Sequence, residues 1–336
     1  MWWNELVDNP GPFSASDLPI FDGEVYHLNL TPNELAPDII IVGDPNRVTE
    51  IAHEFLDWPH YSAYRHNRGL RTITGTVKDT GQNVSLVTSG MGTSSLEIVL
   101  GELEVLNEID FQTRTRRAQF ETINIIRVGT SGALQRDTKL GTPLIADYLI
   151  GLDNTGLFYD VPAPEGASQL EDRLKQVIDG ATPLDRRFRG KIFPYVARAD
   201  ERITALMEEA AKELRIEYKK GMTVSNSGFF ANQGRAISRV RPTVPDIDLV
   251  LANFDTGIEG IRIENMEMEG SFLAHFMAGL GYRAGIICPG IANRGEETFD
   301  RDYHRNVRDA TAIALRAISQ MRKINGYTTK TPQQSL

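Results

Sequence analysis

The segment Ile125-Ile126-Arg127-Val128-Gly129-Thr130-Ser131-Gly132 constrains the fold of this chain more than any other. A short apolar run bounded by glycine suits a strand covered on both faces, and the Gly-Thr-Ser-Gly tip lets backbone N–H groups and two hydroxyls converge on oxygen atoms. An oxyanion fits there; a tight strand-to-loop turn with a surface arginine fits the same residues. Two other segments repeat the pattern. Asp38-Ile39-Ile40-Ile41-Val42 runs into Gly43-Asp44-Pro45-Asn46-Arg47-Val48 and a helix through Ala52, and Val84-Ser85-Leu86-Val87-Thr88 runs into Ser89-Gly90-Met91-Gly92 and a helix over 94–109. A glycine between a parallel strand and a helix N-terminus is where phosphates bind in α/β folds, although Gly-Asp-Pro is also ordinary turn chemistry. Gly90-Met91-Gly92 lacks the third glycine of a dinucleotide fingerprint, and no acidic residue closes a properly spaced second strand, which argues against a dinucleotide site.

With 336 residues, 41% of them apolar and 24% charged, the chain has ample material for a core and is long enough for two domains or one large α/β domain. A net charge of −9 argues against gripping nucleic acid or an anionic membrane over a wide surface, while a few local arginines still permit a small anionic substrate. Cys288 is the only cysteine, so no intrachain disulfide forms, and the scattered histidines give no metal cluster. No apolar run approaches roughly 18 residues and no basic, then apolar, leader opens the chain, so a cytoplasmic location is expected.

Residues 1–24, rich in Pro, Asp and Ser, read as an extended arm, either floppy or packed on a partner, and 25–30 alternates like a strand that carries His27. Arg65, Arg68 and Arg71 crowd one short stretch that reads as a solvated charged edge. Further strands are expected over 142–150, 222–227 and 284–288, with helices over 199–214 and 306–324. The interval 151–194 reads as an irregular insertion or lid with a basic patch at Arg186-Arg187-Phe188-Arg189. The stretch 263–269 leads into an apolar helix, and 327–336 is a polar tail.

Five motifs in order, Tyr26-His27-Leu28-Asn29-Leu30, Gly43 to Val48, Arg127 to Gly132, Phe229-Phe230-Ala231-Asn232-Gln233-Gly234-Arg235 and Glu267-Met268-Glu269, resemble those of the nucleoside phosphorylase superfamily, most closely the uridine phosphorylases. The resemblance implies a single large three-layer α/β domain over 25–326, with a central mixed, twisted sheet flanked by helices. It implies that Gly43, Arg47, Arg127, Gly129 and Thr130 hold inorganic phosphate, where two guanidinium forks orient the anion and strip water from it. Arg65 matches an arginine lent by the neighbouring subunit, with Arg68 as the alternative register. The ribose would lie across Glu267, Met268 and Glu269, near Ser89, with Glu269 accepting from the 2′ and 3′ hydroxyls, Met268 packing against the sugar, Glu267 in support and His27 reaching the 5′ hydroxyl from the adjacent subunit. Phe229 and Phe230 would line the base pocket, and Gln233 and Arg235 would read the uracil edge and stabilise charge on the departing base. The implied reaction is phosphorolysis of uridine, with Arg127, Gln233, Arg235 and Glu269 as its catalytic residues, phosphate as co-substrate and no other cofactor. The implied assembly is a homo-oligomer, at least a dimer, that shares its sites.

Two departures bear on this reading. Purine-side relatives carry an aspartate where Ser227 stands, and bacterial uridine phosphorylases carry a potassium-binding glutamate where His66 follows Arg65, so neither purine chemistry nor that ion is expected. The alternatives are a purine nucleoside phosphorylase, a hydrolytic nucleosidase, which would leave Arg47 and Arg127 with no anion to hold, and a silent nucleoside-binding module.

Overall fold

The computed structural model describes residues 10–324, apart from the side chains at 58, 59 and 322–324. A small hairpin of β1 (Ile20–Phe21) and β2 (Glu24–Val25) precedes β3 (Asp38–Val42), α1 (Pro45–Phe55), the long hairpin β4 (Leu56–Asn67) and β5 (Leu70–Val77), then β6 (Asn83–Thr88) and α2 (Thr93–Glu108). A second small hairpin, β7 (Ile109–Asp110) and β8 (Thr115–Arg116), leads to β9 (Asn124–Val128), β10 (Ser131–Ala133) and β11 (Pro143–Leu152). Next come α3 (Ala167–Ala181), β12 (Tyr195–Arg198), α4 (Glu201–Leu214), β13 (Lys219–Asn226), α5 (Ile247–Ala252), β14 (Ile263–Glu267), α6 (Gly270–Gly279), β15 (Arg283–Asn293), β16 (Thr298–Phe299) and α7 (His304–Ile324).

The apolar runs are the central parallel strands, in the order β15, β9, β3, β6. Because side chains alternate along a strand, each run feeds two cores. Ile40, Val42, Ile126 and Val128 pack under α1, α4 and α7, while Ile39, Ile41, Val87 and Ile125 pack under α2 and α6. The layers are therefore helix, sheet, helix, as the resemblance implied. The far half of the sheet does more than twist: β11, β13, β14, β10 and β15 pair in turn, and β15 pairs back to β11, closing a ring. A third core under α3 and α5 backs this ring.

The registers decide where the site can be. Ile41 lies opposite Arg127, and Val42 opposite Thr88, so the chain leaves three adjacent strands at Gly43, Ser89 and Gly129 along one edge. Open α/β sheets bind ligands outside the carboxyl ends of their parallel strands.

Several expectations need correcting. Residues 26–30 turn instead of extending, because Glu102 on α2 captures the N–H groups of His27 and Leu28 and Asn29 adopts a φ of 55°. Residues 10–24 are no free arm: Phe13 and Pro10 bond the backbone at Arg114 and Arg116 of the same chain. The first nine residues and the polar tail lie outside the described residues. The interval 151–194 is not irregular throughout, since α3 buries Leu170, Leu174 and Ile178 in the third core. The stretch 263–269 does lead into the expected apolar helix, with 263–267 forming β14 and α6 starting at Gly270.

Candidate active site

A cleft of about 1110 Å³ opens at that edge, and Gly43, Arg47, Arg127 and Thr130 line it together with Met268 and Glu269. Asp44 caps α1 by accepting from the Asn46 N–H, with Pro45 in the first turn, so the positive end of that helix faces the cleft. Arg127 shares a face of β9 with Ile125 and is only 4% exposed. Its Nε donates to Glu267 Oε2 at 3.1 Å and its Nη2 to Glu269 Oε2. Nη1 is buried and finds no partner among the described residues. An unmade hydrogen bond on a buried guanidinium is costly, and an anion in the cleft would remove that cost.

The charges agree with this. Burial opposes the charge of Arg127, yet Glu269 and Glu267 outweigh it and hold the guanidinium above its ordinary value. For Arg47 the balance is reversed: burial, and then the positive charge of Arg127, lower it, and the nearby Asp44 does not offset them. Its Nη1 reaches the Val128 carbonyl at 3.4 Å. Both guanidiniums line the same cleft, Arg127 buried and Arg47 partly buried, an arrangement suited to an anion. Gly129 permits the arrangement, since a Cβ there would sit 2.7 Å from Cys288 Sγ and 3.0 Å from Arg127 Nη2. The Cys288 thiol is pushed up to about 12 by burial, so it stays neutral beneath the arginine.

Glu267 and Glu269 have different tasks. Glu267 Oε1 accepts from Ser225 Oγ and the Gly270 N–H, and Oε2 from Arg127 and the Glu269 N–H, so its lone pairs are used within the protein. That fits the supporting place expected of it beside the ribose segment. Glu269 accepts from Arg127 and from the Gly92 N–H at 2.6 Å, and keeps lone pairs for a ligand. Gly92, at φ 83°, aims that N–H from the start of α2. Burial pushes the Glu269 carboxyl up, against the pull of Arg127.

Phe229, Gln233 and Arg235 also line the cleft. The Arg235 guanidinium lies 3.9 Å from the centroid of Phe229, and Nη1 donates to the Phe229 carbonyl and to Gln233 Oε1, both at 2.7 Å. This locks an amide and a guanidinium into one turn. The sequence reading missed two residues here. Arg294 donates to Asp248 Oδ2 at 2.8 Å and to the Gln233 carbonyl, and both Asp248 and Arg294 line the cleft. Arg294 follows a run already read as a strand, and that was the available signal; Asp248 gave none.

Five expected residues, Gly129, Ser89, Phe230, Arg65 and His27, are not among those that line this cleft. The Ser89 hydroxyl turns to the backbone at Val42 and Gly90, and Phe230 packs edge-on against Phe229. Arg65 is ion-paired with Glu34 and Glu24, whereas Arg68 stacks on Tyr26. His27 Nδ1 lies 2.8 Å from Glu102. Asn67 donates to the carbonyls of Tyr26 and His27, which ties the arginine hairpin and the His27 turn into one unit. Among the described residues, no group of three or more His, Cys, Asp or Glu side chains is placed to hold a metal ion, and no helix is long and apolar enough to cross a membrane.

Comparison with known proteins agrees with the geometry. The Phosphorylase superfamily profile matches residues 37–319. A uridine phosphorylase of Thermococcus kodakarensis is 26% identical over 298 residues, covering 88% of this chain and 86% of that protein. The crystal structure of a Trypanosoma brucei nucleoside phosphorylase that shows uridine phosphorylase activity superposes with a TM-score of 0.80 at 29% identity, covering 90% of this chain and all of that one. A Toxoplasma gondii purine nucleoside phosphorylase, solved with immucillin-H, shares the fold with a TM-score of 0.64 at 20% identity, over 91% of this chain and all of that one. The chain is therefore a member of the phosphorylase superfamily, a pentosyltransferase of the nucleoside phosphorylase type.

Proposed function

We propose that this enzyme cleaves uridine with inorganic phosphate, giving uracil and ribose 1-phosphate. The observation that carries the reading is that one cleft holds the desolvated Arg47 and Arg127, the Glu269 carboxylate tied to Arg127, and the locked Gln233–Arg235 pair. Phosphate held by the arginines attacks the anomeric carbon, Glu269 orients the ribose hydroxyls, and no covalent enzyme intermediate is needed. As the glycosidic bond breaks, negative charge grows on the base, and donors aimed at its carbonyl oxygen stabilise it.

Uracil presents two carbonyl oxygens flanking an N–H, which asks for a donor, an acceptor and a donor in one plane. A glutamine amide supplies a donor and an acceptor, and a guanidinium supplies further donors. Cytosine puts an amino group where one oxygen stood. Against a purine reading, Ser227 places a hydroxyl where the purine-side acid would stand, and the acid that does line the cleft, Asp248, is committed to Arg294. The test is a panel of uridine, thymidine, cytidine, inosine and adenosine, assayed with and without phosphate. Phosphate-dependent loss of uridine, weaker loss of thymidine and near-inert cytidine are expected; faster cleavage of inosine or adenosine would overturn the reading. Turnover without phosphate would point to a hydrolase, and no turnover at all to a silent binding module.

A further inference from the structure

Glu267 must be held in place for its neighbours to be placed, and what holds it leads out of the cleft to the root of the insertion. Ser225 Oγ donates to Glu267 Oε1 and accepts from the Ser271 N–H at 2.8 Å. Ser271 Oγ donates to Asp153 Oδ2 at 3.2 Å, and the Tyr195 hydroxyl donates to the same oxygen at 2.8 Å. The other oxygen, Oδ1, accepts from the N–H groups of Thr155 at 2.8 Å and Gly156 at 3.1 Å. Asp153 is thus a buried carboxylate with four donors and no ion-pair partner among the described residues. Such a group is expensive to bury, and its geometry is fixed by the set of donors that surround it. It also joins the two ends of the insertion, because Asp153 opens it and Tyr195 follows it. The Tyr195 ring fills the space over Gly151 and Gly156, where an added Cβ would come within 2.1 and 2.5 Å of ring atoms.

We propose that Asp153 is a positioning residue for the active site, and that the insertion root is a brace acting through Ser271 and Ser225 on Glu267, and from Glu267 on Arg127 and Glu269. Burial, followed by the Asp153 charge, holds the Tyr195 hydroxyl well above its ordinary range, so it stays a donor. The earlier reading of 151–194 as a lid is replaced, for its root, by a fixed support.

This inference rests on the uridine reading for one of its two readouts, so both are measured: kcat for uridine, and the affinity for inorganic phosphate by calorimetry. In Asp153→Asn an amide N–H2 faces donors, and a misplacement of the carboxylates should lower kcat roughly tenfold and weaken phosphate binding roughly threefold. A merely structural role would add independently to other changes, so Ser225→Ala and the double variant complete a cycle. The double variant should lose little more than the worse single one. The proposal is overturned if folded Asp153→Asn stays within about twofold of wild type in both readouts, or if the two losses multiply. If Asp153→Asn does not fold, Tyr195→Phe, which keeps the ring, replaces it in the cycle with a smaller loss in the same direction. Wild-type protein that binds phosphate but leaves uridine intact would sink the uridine reading, and the phosphate-affinity cycle would still decide the brace.

Discussion

Replacing Arg127 with alanine is the sharpest test of the site. The guanidinium is buried and is the cation for two carboxylates, with Nε on Glu267 and Nη2 on Glu269. Removing one partner of a buried pair strands the other, and costs about 3–5 kcal/mol. Losing a preorganised donor to the reacting anion costs on the order of 10²–10³ in kcat. Both losses should appear together in Arg127→Ala, in thermal unfolding and in phosphate-dependent uridine cleavage. The stability loss also has a pH signature. The Glu269 carboxyl already lies above its ordinary range in the folded protein, and deleting Arg127 raises it further. A carboxyl with a raised folded pKa makes the folded state hold its proton more tightly, so stability falls as pH climbs from the unfolded value through the folded one. The melting deficit of the variant should therefore shrink as pH falls towards about 5 and grow as pH rises. Wild-type turnover at low phosphate, or a deficit that widens in acid, would refute the reasoning.

Other outcomes follow from the same geometry. Arg235→Ala should lower uridine turnover and leave phosphate affinity nearly unchanged, because its contacts are Phe229 and Gln233; an equal loss of phosphate affinity would contradict that division. Gly129→Ala should destabilise by about 1–3 kcal/mol and weaken phosphate binding, since the new methyl meets Cys288 and Arg127; unchanged calorimetry would show that the turn yields freely. The enzyme should be at least a dimer in ultracentrifugation, and mixing inactive His27→Ala with Arg127→Ala protomers should restore activity through hybrid sites; no recovery in exchanged subunits would place His27 outside the neighbour's site.

The sequence by itself determined the central parallel strands, their glycine ends and the arginines beside them. These are local signals: an apolar run names a buried strand, and a glycine names the residue at which the backbone can turn toward a ligand. The resemblance then picked out most of the cleft, down to Gln233 and Arg235. Only the tertiary structure decided which groups meet. Arg127 and Glu269 are 142 positions apart, and Gly92 and Glu269 are 177 apart, so no periodicity could pair them. The same holds for the four donors that occupy the Glu267 carboxylate, the turning of Ser89 to the backbone, the Asp248–Arg294 pair and the Asp153 brace. Each depends on how hydrogen-bond capacity is shared out once distant strands are in register. A side chain's type fixes what it can donate or accept, whereas its neighbours in space fix what it has left for a ligand.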